Sequence, residues 1–374
     1  MKNSLALVAI VATLVAITPR SAPAAAPSAA DLRIVTFTSD RLSGFWGRPI
    51  EMKAAAFVPP RCMGAQGRCA VLYHLPGYGG SLANAWSTVR EFARLSSRVP
   101  RLAMAHVFID PSFNGGYSYF TDSQNNGPWD SALTREFIPH IEQLLDAGGS
   151  PGSRFLVGHS SGGWTVMWLQ VSNPDFFGAV WAIAPDPLDF RHFYNVDVTP
   201  GSMDNFYTKP DGGPRYLKRD HSVTMRRLMQ HIDDDPMQGG IISSYEFAWS
   251  PRGSDGLPLR FFDRGDGTLD EPTLDAWQAF DVHAVLSEGG TTMRDALDGK
   301  IHVYCGTQDD FFYNQPTRAM CRFFRENHYR AVCRLVPGRT HASVLSPSSL
   351  YPRGLRHLVL GEAAGLWRRE SAPR

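Results

Sequence analysis

The 374-residue sequence carries almost no net charge, +1 with its histidines neutral. No basic surface therefore recommends a nucleic-acid partner. Its twelve histidines are scattered without metal-ligand spacing, so neither a metal nor a cofactor is expected. The N-terminal apolar run, residues 5–17, has 13 residues, too few to span a bilayer comfortably. Stable membrane insertion is not expected. Cysteine is scarce, with five in all and none near the N-terminus, which argues against a lipoprotein anchor. Repeats and low-complexity tracts are lacking apart from the Ala/Pro-rich stretch 21–30, read as a leader or linker. What remains is 43% hydrophobic and 20% charged, an ordinary globular composition with ample length for a large core. One α/β domain with insertions, spanning 31–374, fits better than two small domains.

The N-terminus has the pattern of a signal peptide. Lys2 supplies a short positive region, the apolar run follows, and Ala24-Ala25-Ala26 offers a cleavage site. The expected leader is 1–26, with Ala30 a later cleavage alternative and an uncleaved anchor the rival reading. Export to the periplasm or medium permits disulfides. Cys62 and Cys69 bracket a short polar loop and form the best pair. Cys305, Cys321 and Cys333 allow one further pair and leave one free thiol, and the sequence does not choose between them.

Apolar runs alternate with helical patterns. Strands are expected at 33–38, 50–58, 69–75, 102–109, 155–159, 179–184, 301–305 and 331–336. Helices are expected at 83–95, 131–145, 315–327 and 348–360. Such alternation implies a mostly parallel central sheet with helices on both faces. The rhythm stops between 187 and 298, which reads as a long lid-like insertion.

Gly158-His159-Ser160-Ser161-Gly162-Gly163 lies between a buried strand and a helix. Strand, G-x-S-x-G and helix make a nucleophile elbow. Gly158 and Gly162 flank Ser160 at the required distance, whereas Ser161 would need a glycine where His159 stands. A serine hydroxyl needs a base, and the base needs an acid to hold its tautomer. In an α/β-hydrolase fold these follow in the order Ser, Asp/Glu, His, at the C-terminal ends of strands. Asp309 and Asp310 follow strand 301–305, and Asp309 is preferred; Asp186, after strand 179–184, is the third choice. His341 is the base, because it lies in a loop straight after a strand while His328 and His357 fall in helices. Two backbone amides should hold the oxyanion: Ser161, at the helix start, and Tyr78, in the Gly-rich loop after strand 69–75.

The chain resembles the esterase D-like family of α/β-hydrolases, which includes S-formylglutathione hydrolases, feruloyl esterases, enterochelin esterases and mycolyltransferases. Three segments carry the resemblance: Pro76-Gly77-Tyr78-Gly79-Gly80, then Gly115-Gly116-Tyr117-Ser118 with Asn126-Gly127-Pro128-Trp129, and the elbow itself. Gly306-Thr307-Gln308-Asp309 is similar to the family's acid motif and supports Asp309 over Asp310; His341 matches its final histidine. The resemblance covers about 68–186 and 300–345.

Aromatics crowd the insertion, most of them expected in its own core and some lining a pocket over Ser160. Residues 263–271 hint at a calcium loop but lack its spacing, and read as a turn and N-cap. Arg191-His192 and Lys218-Arg219-Asp220-His221 read as solvated charge. The expected activity is that of a secreted serine carboxylic-ester hydrolase acting on a small-molecule or polymer-linked ester. The rivals are an acyltransferase, a protease, or a non-catalytic binding protein on the same scaffold.

Overall fold

The computed structural model describes residues 26–64, 68–113, 116–232 and 240–370. The expected leader, up to its last residue, and Gly115 of the family-like motif lie outside them. Eight strands form one sheet: β1 (Arg33–Thr38), β2 (Glu51–Phe57), β3 (Val71–Leu75), β4 (Ala105–Ile109), β5 (Arg154–His159), β6 (Ala179–Ile183), β7 (Ile301–Gly306) and β8 (Val332–Val336). Their order is β1-β2-β4-β3-β5-β6-β7-β8. β2 runs antiparallel to both β1 and β4, and every other pairing is parallel. Central strands of a sheet covered on both faces should read as unbroken apolar runs, and β3, β4, β6 and β7 are buried at every position.

Helices link the strands. α1 (Asp40–Trp46) sits between β1 and β2, and the Ser39 hydroxyl caps it by accepting from the Leu42 amide. α2 (Ala85–Arg98) follows β3. The stretch after the 111–128 loop is helical throughout, as α3 (Trp129–Ala132), a π-helical turn (Leu133–Phe137) and α4 (Ile138–Leu145). α5 (Ser161–Ser172) follows β5 directly and packs on β5 and β6. α6 (Met225–Ile232), α7 (Ile241–Trp249), α8 (Glu271–Trp277) and α9 (Val282–Ala296) belong to the insertion, and α10 (Asn314–Glu326) joins β7 to β8. α11 (Leu355–Glu370) begins seven residues after the expected 348. Gly354 stands just ahead of it at φ 79°, a left-handed conformation that a helix cannot contain.

Parallel order brings the C-terminal ends of β3, β5, β6, β7 and β8 to one edge. Cys62–Cys69 and Cys321–Cys333 are bonded, and Cys305 is a buried free thiol. The second bond ties α10, the helix of the final crossover, to β8, the strand it leads into.

The insertion is less separate than the sequence suggests. Its buried aromatics do pack on one another, as Phe193 with Phe261 and Trp277. They also continue into the body: Trp249 lies 4.8 Å from Trp164 on α5, and Tyr245 5.2 Å from Tyr119 in the 111–128 loop. The 263–271 segment is a turn, with Asp263 accepting from the Gly265 and Asp266 amides and Asp270 capping α8.

Candidate active site

β5 ends at His159 and α5 begins at Ser161, so Ser160 occupies the turn by itself. Its φ of 59° and ψ of −126° are costly for a residue with a side chain, and persist only where the surroundings enforce them. The enforcement is close backbone packing. A Cβ on Gly158 would lie 2.0 Å from the Gly162 carbonyl oxygen, and one on Gly162 would lie 2.1 Å from that of Leu75. Strand, helix and the loop after β3 touch without side chains between them. The Ser160 amide donates to Ile183, and its carbonyl accepts from Gly163 and Asp186. The turn is thereby pinned to the end of β6.

Asp309 follows β7 and is fully buried. Its Oδ1 accepts from the amides of Phe311 (3.0 Å) and Tyr313 (3.2 Å), and its Oδ2 lies 2.8 Å from His341 Nδ1. Two amides and the imidazole converge on one carboxyl group and fix its plane, and the Cys305 thiol lies 3.7 Å from Oδ2 as a weaker donor. Asp310, its rival in the sequence, takes a different part of the same loop: its Oδ2 accepts from the His341 amide at 3.1 Å. The carbonyl of His341 accepts from His159 Nε2 at 2.9 Å. Desolvation, reinforced by the neighbouring His341, lowers the pKa of His159 to about 4. Its ring is therefore neutral near pH 7, with the proton on Nε2 and the lone pair on Nδ1. His159 thus ties the turn that carries Ser160 to the loop that carries His341.

Ser160 and His341 face one cavity of about 500 Å³, whose walls include Gly77, Tyr78, Phe311 and Tyr313. They are not hydrogen-bonded to each other. Ser160 Oγ lies 3.5 Å from Asp186 Oδ1, and His341 Nε2 makes no hydrogen bond among the described residues. Gly77 presses against the nucleophile turn, since a Cβ there would meet Ser160 Cβ at 2.9 Å. The adjoining Tyr78 borders the same space, and α5 begins at Ser161, the residue directly after Ser160. The Ser161 amide donates no hydrogen bond among the described residues, the situation of a helix N-terminus open to an anion. No group of three or more potential metal ligands occurs among the described residues.

The model of the family described as "Putative esterase" matches residues 49–342. The chain belongs to this esterase family. No curated protein matches. Among solved structures, a ferulic acid esterase superposes with a TM-score of 0.57 at 16% identity, covering 90% of this chain and 99% of its own. FphF, a fluorophosphonate-binding serine hydrolase of Staphylococcus aureus, gives 0.52 at 10% identity, with 90% and 98% covered. An S-formylglutathione hydrolase from Agrobacterium tumefaciens gives 0.50 at 17%, with 92% and 98% covered. At these identities the likeness is one of fold, the α/β-hydrolase fold.

In the esterase, several side chains near the cavity have roles that the sequence did not disclose. Asp186, weighed only as an acid, hydrogen-bonds to Ser160 and not to His341. It is fully buried, and its Oδ2 accepts from Tyr119 Oη (2.9 Å) and Tyr245 Oη (2.8 Å). Arg191 and Arg219 are exposed, in keeping with solvated charge, but both also hold partners that the sequence did not disclose. Arg191 pairs with the buried Asp189 and contacts His283. Arg219 clamps the acid turn: its amide donates to the Asp310 carbonyl, Nε to the Asp309 carbonyl and Nη2 to Asn314. These partners lie about ninety positions away in the chain, so no local pattern could have announced them.

Proposed function

We propose that the esterase is a secreted serine carboxylic-ester hydrolase that works through an acyl-enzyme on Ser160, with His341 as base and Asp309 as its orienting acid. Ser160 Oγ attacks the ester carbonyl carbon while its proton passes to His341 Nε2. Asp309 keeps the Nδ1–H tautomer in place and stabilises the imidazolium. The amides of Tyr78 and Ser161 receive the oxyanion, each such donor lowering the barrier by about 3 kcal/mol. The tetrahedral intermediate collapses, the alcohol leaves with the proton from His341, and water then enters by the same base and releases the acid. Attack requires the Ser160 O–H to point toward His341 Nε2.

The observation that carries this reading is the 2.8 Å contact of Asp309 with the Nδ1 edge of His341, which leaves Nε2 open toward the cavity that Ser160 faces. The aromatic wall of Tyr78, Phe311 and Tyr313 suits an ester with an apolar or aromatic group, free or polymer-linked. The two disulfides fit an oxidising compartment, as a leader ending at Ala26 requires. The test is hydrolysis of short p-nitrophenyl esters and labelling by a fluorophosphonate. Wild type should do both and Ser160→Ala neither; undiminished turnover by the variant would refute the assignment.

A further inference from the structure

Four tyrosines and one buried carboxyl form a continuous set of hydrogen bonds behind Ser160. Tyr313 Oη donates to Tyr194 Oη at 2.7 Å. Tyr194 and Tyr245 hydroxyls lie 3.1 Å apart, and Tyr245 gives its own proton to Asp186 Oδ2 at 2.8 Å, so Tyr194 is the donor between them. Tyr119 reaches the same Oδ2 at 2.9 Å and stands 3.1 Å from Ser161 Oγ. The tyrosine donors therefore all run toward Oδ2, which carries no proton. Oδ1 is left facing Ser160 Oγ at 3.5 Å.

This geometry gives the carboxyl two distinct relations to the serine. If Oδ1 bears a proton, it donates to a lone pair of Ser160 Oγ, and the serine's own O–H is free to point at His341 Nε2. If Oδ1 is ionised, it accepts the serine O–H and turns it away from His341. We propose that Asp186 is a positioning residue for the nucleophile, which in its neutral form aims the Ser160 hydroxyl at His341 and in its ionised form withholds it. The inference rests on the assignment of Ser160 and His341 made above.

The surroundings favour the neutral form. Asp186 has no exposure, and burial raises its pKa above the ordinary carboxylate range. Hydrogen bonds from Ser161, Tyr245 and Tyr119, and then the charge of His341, act in the opposite sense and are outweighed. The groups facing it are these together with Ser160 and, more remotely, Tyr117, Tyr194 and Tyr313. No lysine or arginine hydrogen-bonds to it among the described residues. Tyr117, Tyr119, Tyr245 and Tyr313 are raised by their own burial, and stay protonated as donors.

The rate of fluorophosphonate labelling, followed against pH, tests the proposal without a substrate-binding step. Wild type should show a bell, with a rising limb at low pH and a falling limb as Asp186 loses its proton. Asp186→Asn places a permanent N–H donor toward Ser160 and keeps an acceptor for the tyrosines, so the falling limb should vanish while the rising limb stays. Tyr245→Phe removes a hydrogen bond that lowers the Asp186 pKa, so its falling limb should move to higher pH. Asp186→Ala should label about tenfold more slowly than wild type at the wild-type maximum, where the lost hydrogen bond positions the serine, and should show no falling limb. A wild-type profile without a falling limb, or Asp186→Asn retaining one, overturns the role of Asp186. Wild type that is folded but never labelled at Ser160 overturns the nucleophile assignment itself, a separate outcome. Melting temperatures measured in parallel identify a variant that is merely unfolded, in which case Tyr245→Phe decides.

Discussion

Substituting Gly162 with alanine tests whether the nucleophile turn is held by backbone contact. The added Cβ would lie 2.1 Å from the Leu75 carbonyl oxygen and 2.5 Å from that of Pro76. Neither neighbour is a flexible side-chain end. Relief requires the α5 start and the loop after β3 to part by about 1 Å or more, since non-bonded atoms sit at roughly 3.5 Å. That gap opens between the two proposed oxyanion donors, Ser161 on the helix and Tyr78 on the loop. A displacement of about 1 Å at a reacting centre costs on the order of 10²-fold in rate. Overpacking costs about 1–3 kcal/mol in stability, a fall in Tm of several degrees in a chain of this size. Steady-state hydrolysis of p-nitrophenyl acetate and a thermal melt measure the two effects separately. The expected variant is folded, with kcat down about 10²-fold. Gly162→Ala with wild-type kcat and Tm would show that helix and loop do not meet as described.

Asp309→Asn keeps the carbonyl acceptor but presents an amide N–H donor to His341 Nδ1 or inverts the ring's tautomer; kcat should fall about 10³- to 10⁴-fold with the fold retained, as read by ester hydrolysis and circular dichroism. His159 makes stability pH-dependent. Its folded pKa of about 4 lies below the ordinary imidazole value of 6.5, so between these values the unfolded chain binds the extra proton and stability falls as pH falls. The loss reaches at most roughly 3 kcal/mol, and His159→Gln should flatten the decline of Tm over that range. Thiol titration of the unreduced, denatured protein should count one reactive group, Cys305, and Cys321→Ser with Cys333→Ser should lower stability by about 3 kcal/mol, the loop-closure contribution of a short ring.

The parts of the fold legible in the sequence are those written locally. Buried parallel strands read as largely apolar runs, and all eight strands, the antiparallel pair β1 and β2 included, lie within a few residues of the expected ranges. The elbow was legible because glycine is demanded where chain segments touch. Asp309 and His341 were singled out by their place after strands, a rule of topology. Other features were not local. His159 meets the loop at His341 across 182 positions, Arg219 reaches the acid turn across about ninety, and Tyr245 reaches Asp186 across 59. A histidine or arginine in such a segment looks like any polar residue until the chain has folded. α1 was missed for another reason: seven residues containing a glycine make little helical signal, and its stability comes from the Ser39 cap and from packing.

Trp249 and Tyr245, both buried, bind the segment after β6 to Trp164 and Tyr119. That stretch therefore cannot be pruned to yield a minimal catalyst. Removing it would strip the rear wall from the nucleophile helix, leave Asp186 short of a donor and wet the indole of Trp164. A smaller version would have to supply a new apolar lining and a hydroxyl in place of Tyr245, and engineering of this enzyme's specificity belongs at the open mouth formed by Tyr78 and Phe311.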